Sequence, residues 1–257
     1  MFNLLDYPLL VFLLSFFTLS FSVVIGASLR KGRDLEQSTH ENYGVILAAT
    51  LTLLGLIIGF SFSMATNRYD QRKNYEEEEA NAIGTEYLRA DLLPAADAEK
   101  IRALLVKYLD QRVLFYTTRN KQRLAQINAN TAQLQTELWS VVKESAESRP
   151  APIIALVASG MNDVLNSQGY TQAAWWNRIP IAAWVLMASI AICCSLLVGY
   201  GVQDMKAGRV LFPILPLVVS IAFFLIADID APHAGVIRVH PQNIISLSES
   251  LHGSATE

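Results

Sequence analysis

"GFSFSMATNRYDQRKNYEEEEANAIG", residues 59–84, begins as a membrane segment and ends as a soluble one. Gly59 to Ala65 are apolar or small. Arg68, Asp70, Arg72 and Lys73 follow, then four consecutive glutamates, Glu76 to Glu79. No proline intervenes, and the next glycine is Gly84. Nothing in this stretch stops a helix. It therefore predicts one continuous helix over 43–92 that leaves a bilayer and enters a polar domain, a rod of about 75 Å at 1.5 Å per residue. Arg68, Arg72 and Lys73 fall at the level of lipid headgroups, as interfacial anchors do. Glu76 lies three residues from Lys73 and four from Arg72, so these charges can pair along one side.

The rest of the chain supports a membrane protein. Its 257 residues are 52% hydrophobic, and the mean hydropathy is +0.31. The apolar residues are clustered in four runs, 9–28, 43–66, 179–203 and 210–227. Each approaches or exceeds the roughly 18–20 residues that cross a bilayer as helix. The fourth run is short and carries Pro213 and Pro216 near its start, where a kink is expected. The first run is not a signal peptide: it has no basic flank and no small-residue cleavage pattern. A net charge of −3 argues against nucleic acid as a partner. The two cysteines, Cys193 and Cys194, are adjacent within the third run and read as small apolar residues of a helix.

Between the second and third runs lies a polar segment, 67–178, with three glycines (Gly84, Gly160, Gly169) and three prolines (Pro94, Pro150, Pro152). Its periodicity is helical throughout. Ala80, Ile83, Tyr87 and Ala90 share a face in a helix that Pro94 ends. Ile101, Leu104, Leu105, Tyr108, Leu109 and Phe115 share a face in the next. Leu124, Ile127, Thr131, Leu134, Leu138, Val141 and Ser145 alternate spacings of three and four, as in a coiled-coil seam. Pro150 and Pro152 open a fourth helix, with Ile153, Leu156, Val157, Gly160 and Val164 expected inward. The fold class is thus all-α: four transmembrane helices, with a helical extramembrane domain inserted between the second and third spans. The expected organisation is a first transmembrane pair (1–66), the helical domain (67–178), a second pair (179–227) and an irregular polar tail (228–257).

Two patterns in the second span carry a functional reading. Gly55, Gly59 and Ser63 are four apart, a small-residue stripe that lets helices approach closely. Thr52, Leu56 and Phe60 form the adjacent stripe. In one reading both stripes serve ordinary helix packing and lipid contact. In the other, copies of this helix surround a hole lined by Thr52, Leu56, Phe60, Ser63 and Asn67. Apolar rings at Leu56 and Phe60 would then gate an aqueous path by dewetting. The glutamates likewise divide into a solvated face or a ring at a pore mouth that attracts ions, Glu76, Glu77, Glu78 and Glu79.

The residues also carry a family resemblance. Gly59-Phe60 precedes Arg68-Tyr69 at the interval seen in the second, pore-lining helix of bestrophins, which this segment resembles. "ADIDAPHAG", 227–235, is similar to the acidic turn that follows the last span of bacterial bestrophins. The chain resembles most the bacterial bestrophin-like family, in which "EANAIGTEYLRADLLP", 79–94, is a typical stretch. The resemblance implies a homo-oligomer, pentameric in bestrophins, that passes anions through an apolar neck, here Thr52, Leu56 and Phe60. It places the protein in the bacterial inner membrane, with the lipid bilayer and inorganic ions as partners and no cofactor. Three features depart from bestrophins. Thr52 is small and polar where the neck is bulky. Only Asp228 and Asp230 stand where animal bestrophins carry a long acidic calcium-binding cluster. The basic amphipathic N-terminus is missing.

Other assignments stay open at this level. A glutamate ring favours cations, whereas the resemblance favours anions. Basic residues flanking the spans number five on each side: Arg30, Lys31, Arg33, Lys206 and Arg209 against Arg68, Arg72, Lys73, Arg178 and Arg238. Their density leans toward a periplasmic helical domain, the resemblance toward a cytoplasmic one. The four histidines, His40, His233, His240 and His252, show no metal-binding spacing. Asp228 and Asp230, with His233, are the candidates for a divalent ion, against a capped helix end and turn. No catalytic motif is present, so an enzyme is not expected. The competing class is a non-conducting scaffold or sensor whose helical domain binds a partner.

Overall fold

In a computed structural model the described residues are 4–30, 37–201 and 212–254. All regular elements among them are helical. The helices are α1 (Pro8–Arg30), α2 (Gln37–Arg89), α3 (Ala95–Thr117), α4 (Lys121–Ser148), α5 (Pro152–Trp176), α6 (Ile181–Gly201), α7 (Ile214–Asp230) and α8 (Gln242–Ser254). Short 3-10 turns cover Leu4–Asp6 and Ala90–Leu92. Lys31, Arg33, Lys206 and Arg209, and the ends of the third and fourth runs at 202–203 and 210–211, lie outside the described residues.

The continuous helix expected from the opening stretch is present. α2 runs for 53 residues, and the 3-10 turn Ala90–Leu92 winds it down before Pro94. The chain forms two compact units, 1–68 with 178–237, and 69–177 with 238–257.

In the first unit α1 packs against α6 and α7. The α1–α6 contact is backbone to backbone. A Cβ on Gly26 would fall on the Leu196 carbonyl oxygen, and one on Gly199 on the Val23 carbonyl oxygen. Arg30 then donates to the carbonyl of Gly201 at 2.7 Å, satisfying an acceptor at the open end of α6. Tyr43, near the start of α2, donates its hydroxyl to the Leu197 carbonyl. Among the described residues three stretches are long and apolar enough to cross a membrane, within Pro8–Arg30, Asn42–Leu92 and Pro152–Gly201. α7 has 17 residues. Its prolines do not kink a span midway: Pro213 caps the helix and Pro216 sits in the first turn, where no intrahelical N–H is lost.

The second unit is built on the predicted stripes. Ile101, Leu104, Leu105, Tyr108, Leu109 and Phe115 of α3 are all buried, as are Leu124, Ile127, Thr131, Leu138, Val141 and Ser145 of α4. Asn120 caps α4, accepting from the backbone N–H groups of Gln122 and Arg123. In α5 the expected Val157, Gly160 and Val164 are buried, but the edge of the face differs. Ile154, Val157, Gly160, Met161 and Val164 are inward, whereas Ile153 and Leu156 are exposed. Part of the tail is regular: α8 covers Gln242–Ser254, and Val239, Ile244 and Leu251 join the core of this unit.

Candidate functional site

The membrane half of α2 presents its two stripes away from the chain. Thr52, Ser63 and Asn67 are exposed, as are Leu56 (51%) and Phe60 (62%). Nothing lies within 4 Å of a Cβ placed on Gly55 or Gly59. Among the described residues, nothing packs on Gly55 or Gly59 of the small-residue stripe. The Thr52 hydroxyl donates to the Ala48 carbonyl at 2.8 Å, so its polarity is spent within the helix. The small residues that do bring two helices together are Gly26 and Gly199. Each lies four residues after a buried serine, Ser22 and Ser195. That spacing was present in the sequence but obscured by runs of larger apolar residues.

Beyond the membrane half, a different seam runs along α2. Arg72, Glu76, Glu79, Ile83, Glu86 and Ala90 are buried, with spacings of four, three, four, three and four. Four of these six are charged. A search for apolar periodicity passes over them; a search for heptad spacing without regard to residue type finds them.

This seam corrects two expectations. Arg72 is not a headgroup anchor: it is buried, and it donates to the Ala174 carbonyl at 3.2 Å and the Asn177 carbonyl at 3.3 Å, acceptors at the end of α5. Lys73 is exposed and Arg68 half-buried. The four glutamates do not share one environment. Glu76 accepts from the Ile244 backbone N–H at 2.9 Å and the Asn243 side chain at 2.8 Å, supplying a carboxylate to the N-terminus of α8. Glu79 is paired with Arg112 in an ion pair with no solvent exposure on either side. It also accepts from the hydroxyls of Tyr116 at 2.8 Å and Thr171 at 3.2 Å. The Arg112 guanidinium lies 4.3 Å from the centre of the Phe115 ring. Burial and the Glu79 charge both push the Tyr116 phenol well above its ordinary range. Only Glu77 and Glu78 face solvent. Instead of the expected pairing along one side, Arg72 engages the end of α5 and Glu76 the start of α8.

The acidic turn after α7 is a backbone clasp. Asp228 accepts from the N–H groups of Val236 at 2.8 Å and Ile237 at 2.7 Å. Asp230 accepts from the Ile179 N–H with both oxygens at 3.2 Å. Gly235 is required here, since a Cβ would meet the Asp228 carbonyl oxygen. Both carboxylates are thus engaged by backbone donors that hold the start of α6 and the end of α7. Among the described residues no group of three or more His, Cys, Asp or Glu gathers in metal-binding geometry.

A family model described as the Bestrophin-like domain matches residues 12–244. No curated protein matches the sequence. The fold is similar to crystal structures of point mutants of a bacterial bestrophin homolog from Klebsiella pneumoniae. One matches with a TM-score of 0.65 at 13% identity, over 97% of this chain and 99% of that one. A second has a TM-score of 0.63 at 14% identity, over 97% and 99%. A third has a TM-score of 0.64 at 13% identity and covers both chains in full.

Proposed function

The chain belongs to the bestrophin-like family, and from that premise we propose that it is an oligomeric ion channel of the bacterial inner membrane, with α2 lining the pore. The observation that carries this reading is the bare stripe of α2. Thr52, Leu56 and Phe60 are exposed in the single chain, on a helix continuous with a well-packed polar domain. Five copies around an axis, as in bestrophins, would give these residues stacked rings, and Leu56 and Phe60 would exclude water from a narrow path. Gly55 and Gly59, open on their own chain, would let neighbouring copies approach. Ser63 and Asn67 would line the wider end.

The family favours anions. Arg112 compensates one carboxylate and a helix N-terminus the other, so Glu76 and Glu79 do not oppose that assignment. α7 serves as the fourth crossing, at about 26 Å of helix slightly shorter than the hydrocarbon core.

The test is halide flux in vesicles reconstituted with purified, assembled protein. Flux is expected in the parent, and a several-fold increase when Leu56 and Phe60 are both replaced by alanine. Assembled protein that stays silent in both forms overturns the channel reading in favour of a scaffold or sensor. A preference for cations overturns the anion assignment alone.

A further inference from the structure

Glu79 and Glu86 lie two helical turns apart on the same face of α2, and both have no solvent exposure. Glu79 has Arg112, Tyr116 and Thr171. Glu86 has no hydrogen-bond partner for either carboxylate oxygen. The room for its side chain comes from α5: a Cβ on Gly160 would overlap Glu86 Oε2 and Arg89 Nη1. Arg89, one turn further along α2, donates to the Leu156 carbonyl rather than to Glu86. The other charge facing this point is Asp163 of α5, which is exposed and of like sign. Asp91, on the 3-10 turn that also packs on α5, is held by Arg102.

An ionised carboxylate without donors is not tolerated in such a place, whereas a protonated one is small and neutral enough to stay. We propose that the α2–α5 crossing at Glu86 and Gly160 is a proton-operated device, closed while Glu86 carries its proton and forced apart when the proton leaves. Burial moves the carboxyl up from 4.5 to about 8, with Arg89 opposing the rise and Asp163 adding to it. The folded chain therefore keeps a proton that the unfolded chain has lost. Stability from this site is complete below the ordinary carboxylate range, declines as pH rises, and is gone above about 8. The crossing closes on the acid side and opens on the alkaline side, a window next to neutrality.

The device is read without reference to conduction, by hydrogen–deuterium exchange of the full-length protein in detergent from pH 6 to pH 9.5, corrected for the intrinsic pH dependence of exchange. Peptides covering 83–92 and 153–164 are expected to lose at least about tenfold in protection as pH rises from 6 and to level off near pH 8. Glu86→Gln is expected to abolish that decline. Asp163→Asn, a surface change that leaves packing alone, is expected to move the levelling-off to lower pH. Flat protection in the parent, an unchanged decline in Glu86→Gln, or an unmoved levelling-off in Asp163→Asn each overturns the proposal. Should Glu86→Gln not fold, the levelling-off in Asp163→Asn decides.

Discussion

Arg112 shows what the second unit asks of single residues. Its guanidinium is buried without solvent exposure and answers one carboxylate, Glu79. Removing either partner leaves the other charge buried and unpaired, which costs about 3–5 kcal/mol. Arg112→Ala is therefore expected to lower the thermal midpoint of the purified protein sharply. Tyr116→Phe, which deletes one neutral donor to an ion, should cost about 1.5–3 kcal/mol. Equal losses in the two variants would show that the pair is not the centre of the network. The sequence did not announce this pair, because Arg112 is 33 residues from Glu79, and only tertiary packing brings them together. What the sequence did hold was the period. Glu76 and Glu79 are three apart and inward, while Glu77 and Glu78 fall outward by the same 3.6-residue geometry.

At the scale of elements, the helices of the second unit were legible because their apolar stripes are dense and proline marks the ends. α8 was not: its short helix follows a segment rich in proline and histidine, and much of its anchorage is a remote carboxylate. Glu76→Ala should release that N-terminus at a cost of about 1–2 kcal/mol. Limited proteolysis is expected to show faster cleavage around 240–254, with no change in the α3–α4 pair. Within the chain, close helix contact lies elsewhere than on the Gly55–Gly59 stripe. Gly55 and Gly59 face open space, whereas Gly26 and Gly199 meet carbonyl oxygens of the opposing helix. Gly199→Leu is thus expected to disrupt the fold of the single chain, seen as loss of monodisperse protein in detergent. Gly59→Leu should spare that fold and alter only the size of the oligomer. The reverse pattern would mean that the two glycine sets have exchanged roles.

For the whole molecule, the proposed four crossings place both termini on one side of the membrane. Reporters fused at the two ends are expected to agree, and opposite signals would remove α7 from the count. Neutralising Glu77 and Glu78 together takes two charges per chain from the mouth and should raise the preference for anions by a modest factor, measured as a shift in reversal potential. Glu76→Gln and Glu79→Gln should instead act through stability, because those carboxylates are already satisfied within the chain. The sequence could outline the spans and the domain between them. It could not decide which faces of α2 remain bare, since that depends on partners contributed from residues far along the chain.

The seating of α8 also has a consequence for biosynthesis. The carboxylate at Glu76 waits for residues 167 and 168 positions downstream, and α6 and α7 are made in between. The ribosome delivers the last component of the helical unit only after the remaining apolar helices have been synthesised. A chain stalled before residue 242 would leave the socket at Glu76 and Gly84 unfilled, a surface that chaperones and proteases can recognise. Closure of that socket thus ties the helical unit to residues made after α6 and α7.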